Sequence, residues 1–515
     1  YIAPFSLGLA ALLLPLGVVT SPRRLFVIGR TAGAGALLLS LICAVLVWDR
    51  GSLVSPVVGV EAMGLVARLD ALSVFIFWLV SFLGVLLIQF SYNYLDGDDR
   101  QALFLSRLYL TIGAVLFFVV AGNLWQLVLG WVATSLTLHL LLVFYRERPR
   151  AIRAARKKFI VARAGDACLI GAAVLIAGAF ETTDLGAIGA AASDALEAGS
   201  APAGVGVAAV LVVLAAILKS AMFPFHGWLL EVMETPTPVS ALLHAGLLNA
   251  GTFLVVRFGE LVFISPVALA LLILVGGGTA LFASSAMVTQ SSVKVSLAYS
   301  SAAHMGFMLM LCGFGAHSVA IMHLVAHSFY KAHAFLSSGS IVEYVQNTGS
   351  QKLNSVPSVP MLLANLATGL LIFIFIGGVV LGIDLTKRPG ETALGVIFAI
   401  AVTYLLLKGT TGSAPWLVIA RTALLAALVT GAFFALELAG AALLGDIVAV
   451  FPPPEPVTLA VMVVAVVAFG LVTLLSAVLP AWAKTPGGRA LYVHLKNGFY
   501  ANTLFDRLIN RPVRS

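Results

Sequence analysis

The chain has 515 residues, 61% of them hydrophobic and only 10% charged, with mean hydropathy +1.06 and a formal net charge of +8. A typical soluble domain carries roughly 25% charged residues, so a string of water-soluble domains is excluded. The three cysteines, Cys43, Cys168 and Cys312, sit inside apolar runs without ligand spacing. They read as small apolar fillers and exclude a disulfide frame, a zinc site or an iron–sulfur centre in this chain.

In chain order, a window of about 19 residues marks about fifteen apolar runs long enough to span a bilayer. They are 2–20, 31–48, 69–92, 104–121, 123–145, 159–179, 204–223, 238–258, 262–288, 293–313, 316–346, 357–383, 391–408, 414–443 and 456–482. The first run lacks a basic leader and a small-residue exit, and reads as a span, not a signal peptide. The fold class is therefore an all-α polytopic membrane protein. A transmembrane domain covers 1–482, and a tail too polar to span covers 483–515.

The loops orient the bundle. Segment 146–158 holds seven basic residues against one acid, whereas the next loop holds Glu181, Asp184, Asp194 and Glu197 with no Lys or Arg. Arg23, Arg24 and Arg30 mark the first loop; Lys484, Arg489, Lys496, Arg507, Arg511 and Arg514 mark the tail. If the spans alternate, all the basic stretches fall on one side, which the positive-inside rule makes cytoplasmic. The N-terminus is then periplasmic. The positive net charge needs no other explanation, and nucleic acid is not implied.

A charge at the centre of a span costs about 2.5–3.5 kcal/mol on insertion scales, so each one calls for a task or a partner. The eleventh span is the richest. His323, His327 and Lys331 recur at i, i+4 and i+8 and share one helix face over about 12 Å of rise. Three proton-accepting groups on one stripe favour transport over structural hydrogen bonding. Span seven carries Lys219 one turn before Pro224, which breaks the helix. Interrupted helices with a charge at the break are a common construction for ion sites in transporters. The eighth span places His244 less than two turns inside. Arg163 and Asp166 are i, i+3 neighbours able to neutralise one another, and His304 and His139 are single imidazoles in spans ten and five. No phosphate-binding glycine loop or haem motif is present, so energy has to come from an ion gradient or a partner subunit.

Several of these segments resemble one family. Lys219-Ser-Ala-Met-Phe-Pro-Phe-His-Gly-Trp, continued by Thr235-Pro-Thr-Pro-Val-Ser-Ala-Leu-Leu-His244-Ala245, is similar to a signature of the antiporter-like subunits of respiratory complex I and Mrp antiporters. Val293-Lys-Val-Ser-Leu-Ala-Tyr-Ser-Ser301, His327-Ser-Phe-Tyr-Lys331 and Phe159-Ile-Val-Ala-Arg-Ala-Gly-Asp166 resemble further family motifs. The likeness covers roughly residues 65–345. It implies inverted repeats with broken helices, and a proton path through Lys219, His244, His323, His327 and Lys331. Arg163, Asp166, His304 and His139 would support that path.

Three departures narrow the branch. Gly130-Trp131 is followed by Val132 where the family has Glu, so Lys219 needs another counter-charge, and Asp166 is the nearest by motif. The segment bearing the Lys of a second broken helix is missing after residue 357, and no long lateral helix follows the last span. These departures weigh against a redox-driven complex I role. The shortened second half and the tail resemble the membrane subunit of bacterial inorganic-carbon pumps. That resemblance implies a bacterial inner-membrane subunit that energises a large cytoplasmic, zinc-bearing, carbonic-anhydrase-like partner. The zinc would be the partner's, and this chain would hold no cofactor or catalytic site of its own. Leu491, Tyr492, Phe499, Tyr500 and Phe505 in the basic tail suit either docking of that partner or anchoring on lipid. Rival readings are a complex I or Mrp subunit, and a scaffold that conducts nothing.

Overall fold

The computed structural model describes residues 1–59, 64–339, 358–383, 388–410, 416–445, 451–482 and 485–509. The ends of the expected spans at 340–346 and 357, and the tail's Lys484, Arg511 and Arg514, lie outside the described residues.

Apolar runs whose backbone groups cannot reach water close their hydrogen bonds internally, and the chain is helical almost throughout. It opens with α1 (Ile2–Leu12) and α2 (Pro22–Arg50), then a two-residue hairpin, β1 (Leu53–Val54) with β2 (Arg68–Leu69), pairing Leu53 with Leu69 and Val54 with Arg68. There follow α3 (Ala71–Tyr94), α4 (Gln101–Val119), α5 (Leu124–Leu142), α6 (Pro149–Phe180), α7 (Leu185–Glu197) and α8 (Val205–Lys219). Next come α9 (Gly227–Glu231), α10 (Thr237–Ala245), α11 (Ala250–Arg257), α12 (Gly259–Phe263), α13 (Pro266–Met287), α14 (Val293–Gly313) and α15 (His317–Leu336). The second part holds α16 (Val359–Ile374), continued by a wider turn Phe375–Val380, then α17 (Pro389–Thr410), α18 (Trp416–Leu444) and α19 (Pro456–Trp482). Two tail helices, α20 (Pro486–Lys496) and α21 (Ala501–Ile509), complete the described chain.

Among the described residues, twelve helices are long and apolar enough to cross a membrane, counting α10 and α11 as one interrupted span. The other three expected spans are also helices: α1 and α8 are shorter, and α15 carries the His and Lys residues that lower its hydropathy. α1 stops at Leu12, eight residues before the expected end, and Gly17 turns the chain with φ +70. The sixth span starts earlier than expected, because the basic segment from Pro149 is already helical. The acidic loop after it contains α7, whose N-cap Asp184 accepts from the backbone N–H groups of Gly186 and Ala187.

Two faces are distinguishable from their polar contacts. On one, the start of α6 meets the tail, and Arg100 reaches Glu147 at 3.0 Å, a hydrogen bond that holds the Glu147 carboxyl below its ordinary range. On the other, Asp70 caps α3 and pairs with Arg257 and with Arg68 at 3.2 Å, while Asn123 bridges to Asp184. The bundle interior has no water-driven force to assemble it, so close backbone approach matters. Gly276 of α13 and Gly306 of α14 face each other so tightly that a Cβ on either would lie 2.6 or 2.5 Å from the other's carbonyl oxygen. The interrupted α10–α11 span is the most enclosed, whereas α2, α18 and α19 run along the periphery with large apolar side chains facing outward.

Candidate functional site

The site begins on one face of α5, where Trp131, Thr134, Ser135 and His139 recur at helical spacing. Lys158, buried in α6, donates to the Ser135 carbonyl at 2.7 Å and to its hydroxyl at 3.0 Å. Arg163 donates to the same hydroxyl at 3.2 Å and pairs with Asp166 at 2.6 Å. His139 sits half-buried against the Phe159 ring, at the end of α5 near Lys158.

Lys219 is the last residue of α8. The expected break at Pro224 in fact starts four residues earlier, at Ser220, with Ala221 already at φ +53. A residue before proline disfavours helical backbone, so the chain must leave the helix upstream of Pro224. The Lys219 ammonium donates to the Trp131 carbonyl at 3.2 Å and to Thr134 Oγ1 at 3.0 Å, and lies 4.2 Å from the Trp131 ring centroid. The expected Asp166–Lys219 ion pair is not made. Asp166 is drawn to Arg163 one turn before it, while carbonyl, hydroxyl and indole face take up the ammonium. Asp166 stays within electrostatic reach of Lys219 without touching it.

The next span is broken too, which the sequence reading did not anticipate. α10 ends at Ala245, Gly246 leaves helical geometry (φ −125, ψ −66), and the chain re-enters a helix at Ala250. His244 therefore sits at a break, fully buried, its ring stacked 4.4 Å from Phe335 and neither nitrogen partnered. The two breaks touch: Ser220 donates to the Leu248 carbonyl at 3.3 Å, and Asn249 donates to Ser328 of α15 at 2.8 Å.

α15 carries the line onward. Lys331 is fully buried and donates to the Leu297 carbonyl of α14 at 3.0 Å. One and two turns away, His327 and His323 meet His304 of α14; His304 Nδ1 and His323 Nε2 are 3.0 Å apart, and the His304 and His327 rings are 4.7 Å apart. Both His327 nitrogens are buried without a partner. The three imidazoles offer ligand atoms within 4.8 Å of one another, the one cluster among the described residues with the composition to hold a metal. Lys219 and His244 thus sit at two touching breaks, Lys331, His327 and His323 lie on α15 with His304 beside them, and Arg163, Asp166 and His139 lie near Lys158. Lys158, Ser135 and Thr134 were missed; the polar stripe Trp131, Ser135, His139 on an apolar helix was the available signal.

The tail residues divide. Phe505 is half-buried with its ring 6.3 Å from Phe225, and Leu491 is half-buried. Tyr492, Phe499 and Tyr500 are exposed, although Phe499 also approaches Phe282 at 5.9 Å. Lys157 ties the tail down, pairing with Asp506 and Glu231 at 2.6 Å each and donating to Asn502 at 3.0 Å.

Residues 121–380 match the profile of the NADH:quinone oxidoreductase/Mrp antiporter transmembrane family. A Halothiobacillus neapolitanus protein named "Probable inorganic carbon transporter subunit DabB2" is 38% identical over 464 residues, 88% of this chain and 81% of its own length. "Probable inorganic carbon transporter subunit DabB" of Hydrogenovibrio crunogenus is 36% identical over 76% of this chain and 73% of its own length. NADH-quinone oxidoreductase subunit L of Rickettsia bellii is 34% identical over 59% of this chain, which spans 49% of that relative. In fold, the chain superposes over its full length on 60% of a chain of the Mrp complex from Dietzia sp. DQ12-45-1b, at TM-score 0.62 and 24% identity.

Proposed function

The chain belongs to the NADH:quinone oxidoreductase/Mrp antiporter transmembrane family, and from that premise we propose that it is the proton-translocating, energy-coupling subunit of an inorganic-carbon uptake complex in a bacterial inner membrane. The observation that carries the reading is the set of buried and half-buried Lys and His groups, Lys158, Lys219, His244, Lys331 and His327, gathered at two touching helix breaks and on the facing α15. Ionisable groups inside a membrane are expensive and mark ion pathways. Here they sit at two touching helix breaks and beside one facing helix. The proton would pass between Lys219 and the His244–Lys331 pair across the Ser220–Leu248 contact, and on through His327, His304 and His323. Protonation of one lysine disfavours protonation of its neighbours, so the charge moves in steps.

The carbon-uptake assignment is supported by the DabB relatives, of which this chain covers the larger part. A large cytoplasmic zinc-bearing, carbonic-anhydrase-like subunit would then dock on the tail face, held by the exposed Tyr492, Phe499 and Tyr500. The test is uptake of labelled bicarbonate by cells expressing the complex, with and without an uncoupler. Uptake that survives both the uncoupler and Lys219→Ala refutes proton coupling and leaves the non-conducting scaffold. Deleting residues 484–515 should lose the zinc subunit on co-purification; full retention places that contact in the loops. A reporter at Ser515 active only in the periplasm overturns the orientation. Association of the chain with other respiratory subunits instead would favour the complex I or Mrp reading.

A further inference from the structure

The line of lysines and histidines stops at His323, still inside the helix bundle, and the missing second broken-helix Lys leaves the remaining distance to the opposite face unexplained. There a cavity of about 560 Å³ opens between the start of α15, the start of α17, the end of α18 and the loop at Phe451. Its ionisable lining is Arg388, Glu391, Glu437 and His317.

Glu437 is buried on α18, a helix whose other side exposes large apolar side chains. Its carboxyl shares the cavity wall with that of Glu391, which Arg388 holds at 3.1 Å. A buried carboxyl facing a cavity inside a membrane protein is costly to keep, and passing a proton is a task that accounts for it. His317 supplies an independent sign. It is fully buried, neither ring nitrogen has a partner, and it lines the same cavity. The buried imidazole and the two carboxyls thus line one cavity. The cavity also adjoins the helix that bears the histidines: one turn beyond Glu437, Gly440 lies against Ser318 and Met322, the residue before His323.

We propose that this cavity is the mouth of the proton path on the face opposite the tail, and that Glu437 is the group that passes the proton between the histidine cluster and cavity water. The carboxylate takes a proton at one oxygen and releases it to water on the other side; no other bond changes. Glu391 and Arg388, paired at 3.1 Å on the same cavity wall, position it. This inference rests on the proton-translocating reading above and adds the exit that reading lacks.

The test uses the assembled complex in membranes. A hydrophobic carbodiimide reacts with protonated carboxyls in apolar surroundings. Peptide mass spectrometry should find the adduct on Glu437, and its appearance should parallel loss of carbon uptake. Glu437→Gln should lower uptake by about 100-fold, the scale of losing a proton-transfer group, while Glu437→Asp retains a substantial part. Wild-type uptake in Glu437→Gln alongside an inactive Lys219→Ala overturns the exit and leaves the path intact. Wild-type uptake in both variants refutes the proton path itself. If Glu437→Gln fails to accumulate, labelling of the unmodified protein decides: full inactivation with Glu437 unlabelled overturns the proposal.

Discussion

The helices from α3 to α15 and those from α16 to α19 both include spans apolar enough to cross a membrane but are used differently. The first set turns Lys158, Asp166, His244, His327 and Lys331 into its interior, and breaks two spans where those groups are needed. In the second, Glu437 is the buried ionisable group among the described residues, and long apolar side chains of α18 and α19 face outward. Burial of charge in a bilayer needs surrounding protein, which the enclosed α10–α11 span has and the peripheral helices lack. The ion-handling groups therefore concentrate where helices are covered on all sides, and reach the second set only where α18 packs on α15.

The sharpest way to break this contrast is to remove the central ammonium groups. Lys219→Ala and Lys331→Ala should each reduce proton-coupled uptake by about 100-fold or more. Deleting a buried charge also removes its desolvation penalty, so both proteins should still fold and insert. Equal membrane yield with lost uptake is the expected pattern, checked by quantified blots beside uptake assays.

A smaller but structural effect is expected at the face opposite the tail. Asp70 is fully buried between Arg257 and Arg68 while capping α3. Arg257→Ala leaves that carboxylate without its main partner and should destabilise the protein by about 3–5 kcal/mol, read as a lower thermal midpoint in detergent. An unchanged midpoint would mean that the core half is not held by this cluster.

Packing should distinguish the two environments at about 1–3 kcal/mol. Gly306→Leu has no room against Gly276 and should lower the midpoint. Gly278→Leu, on the same pair of helices but with nothing within 4 Å of its added Cβ, should not. Equal effects would show that the α13–α14 contact is looser than described. The smallest change concerns the tail. Asp506→Asn weakens one partly exposed pair with Lys157 and should alter stability by only about 0.2–1 kcal/mol. Its measurable sign is faster proteolysis after Lys496 or Arg507.

Composition and hydropathy determined the class, and each of the fifteen expected spans corresponds to a helix, because a backbone in lipid has few alternatives. The stripe of His323, His327 and Lys331 was equally readable, since helical spacing alone puts i, i+4 and i+8 on one face. Tertiary structure decided what no spacing encodes. His304 joins that stripe only because α14 packs on α15. Asp166 turns to Arg163 because Trp131 and Thr134 already occupy the Lys219 ammonium. The break at Gly246 lies against the Ser220 break of α8, and its one local sign is a single glycine among many in an apolar run. Tail aromatics look alike in sequence, yet Phe505 packs inward while Tyr492 stays exposed, because Lys157, Glu231, Asn502 and Asp506 fix how α21 lies. Side-chain partners drawn from segments hundreds of residues apart depend on which helices become neighbours, and that is settled by packing, not by local pattern.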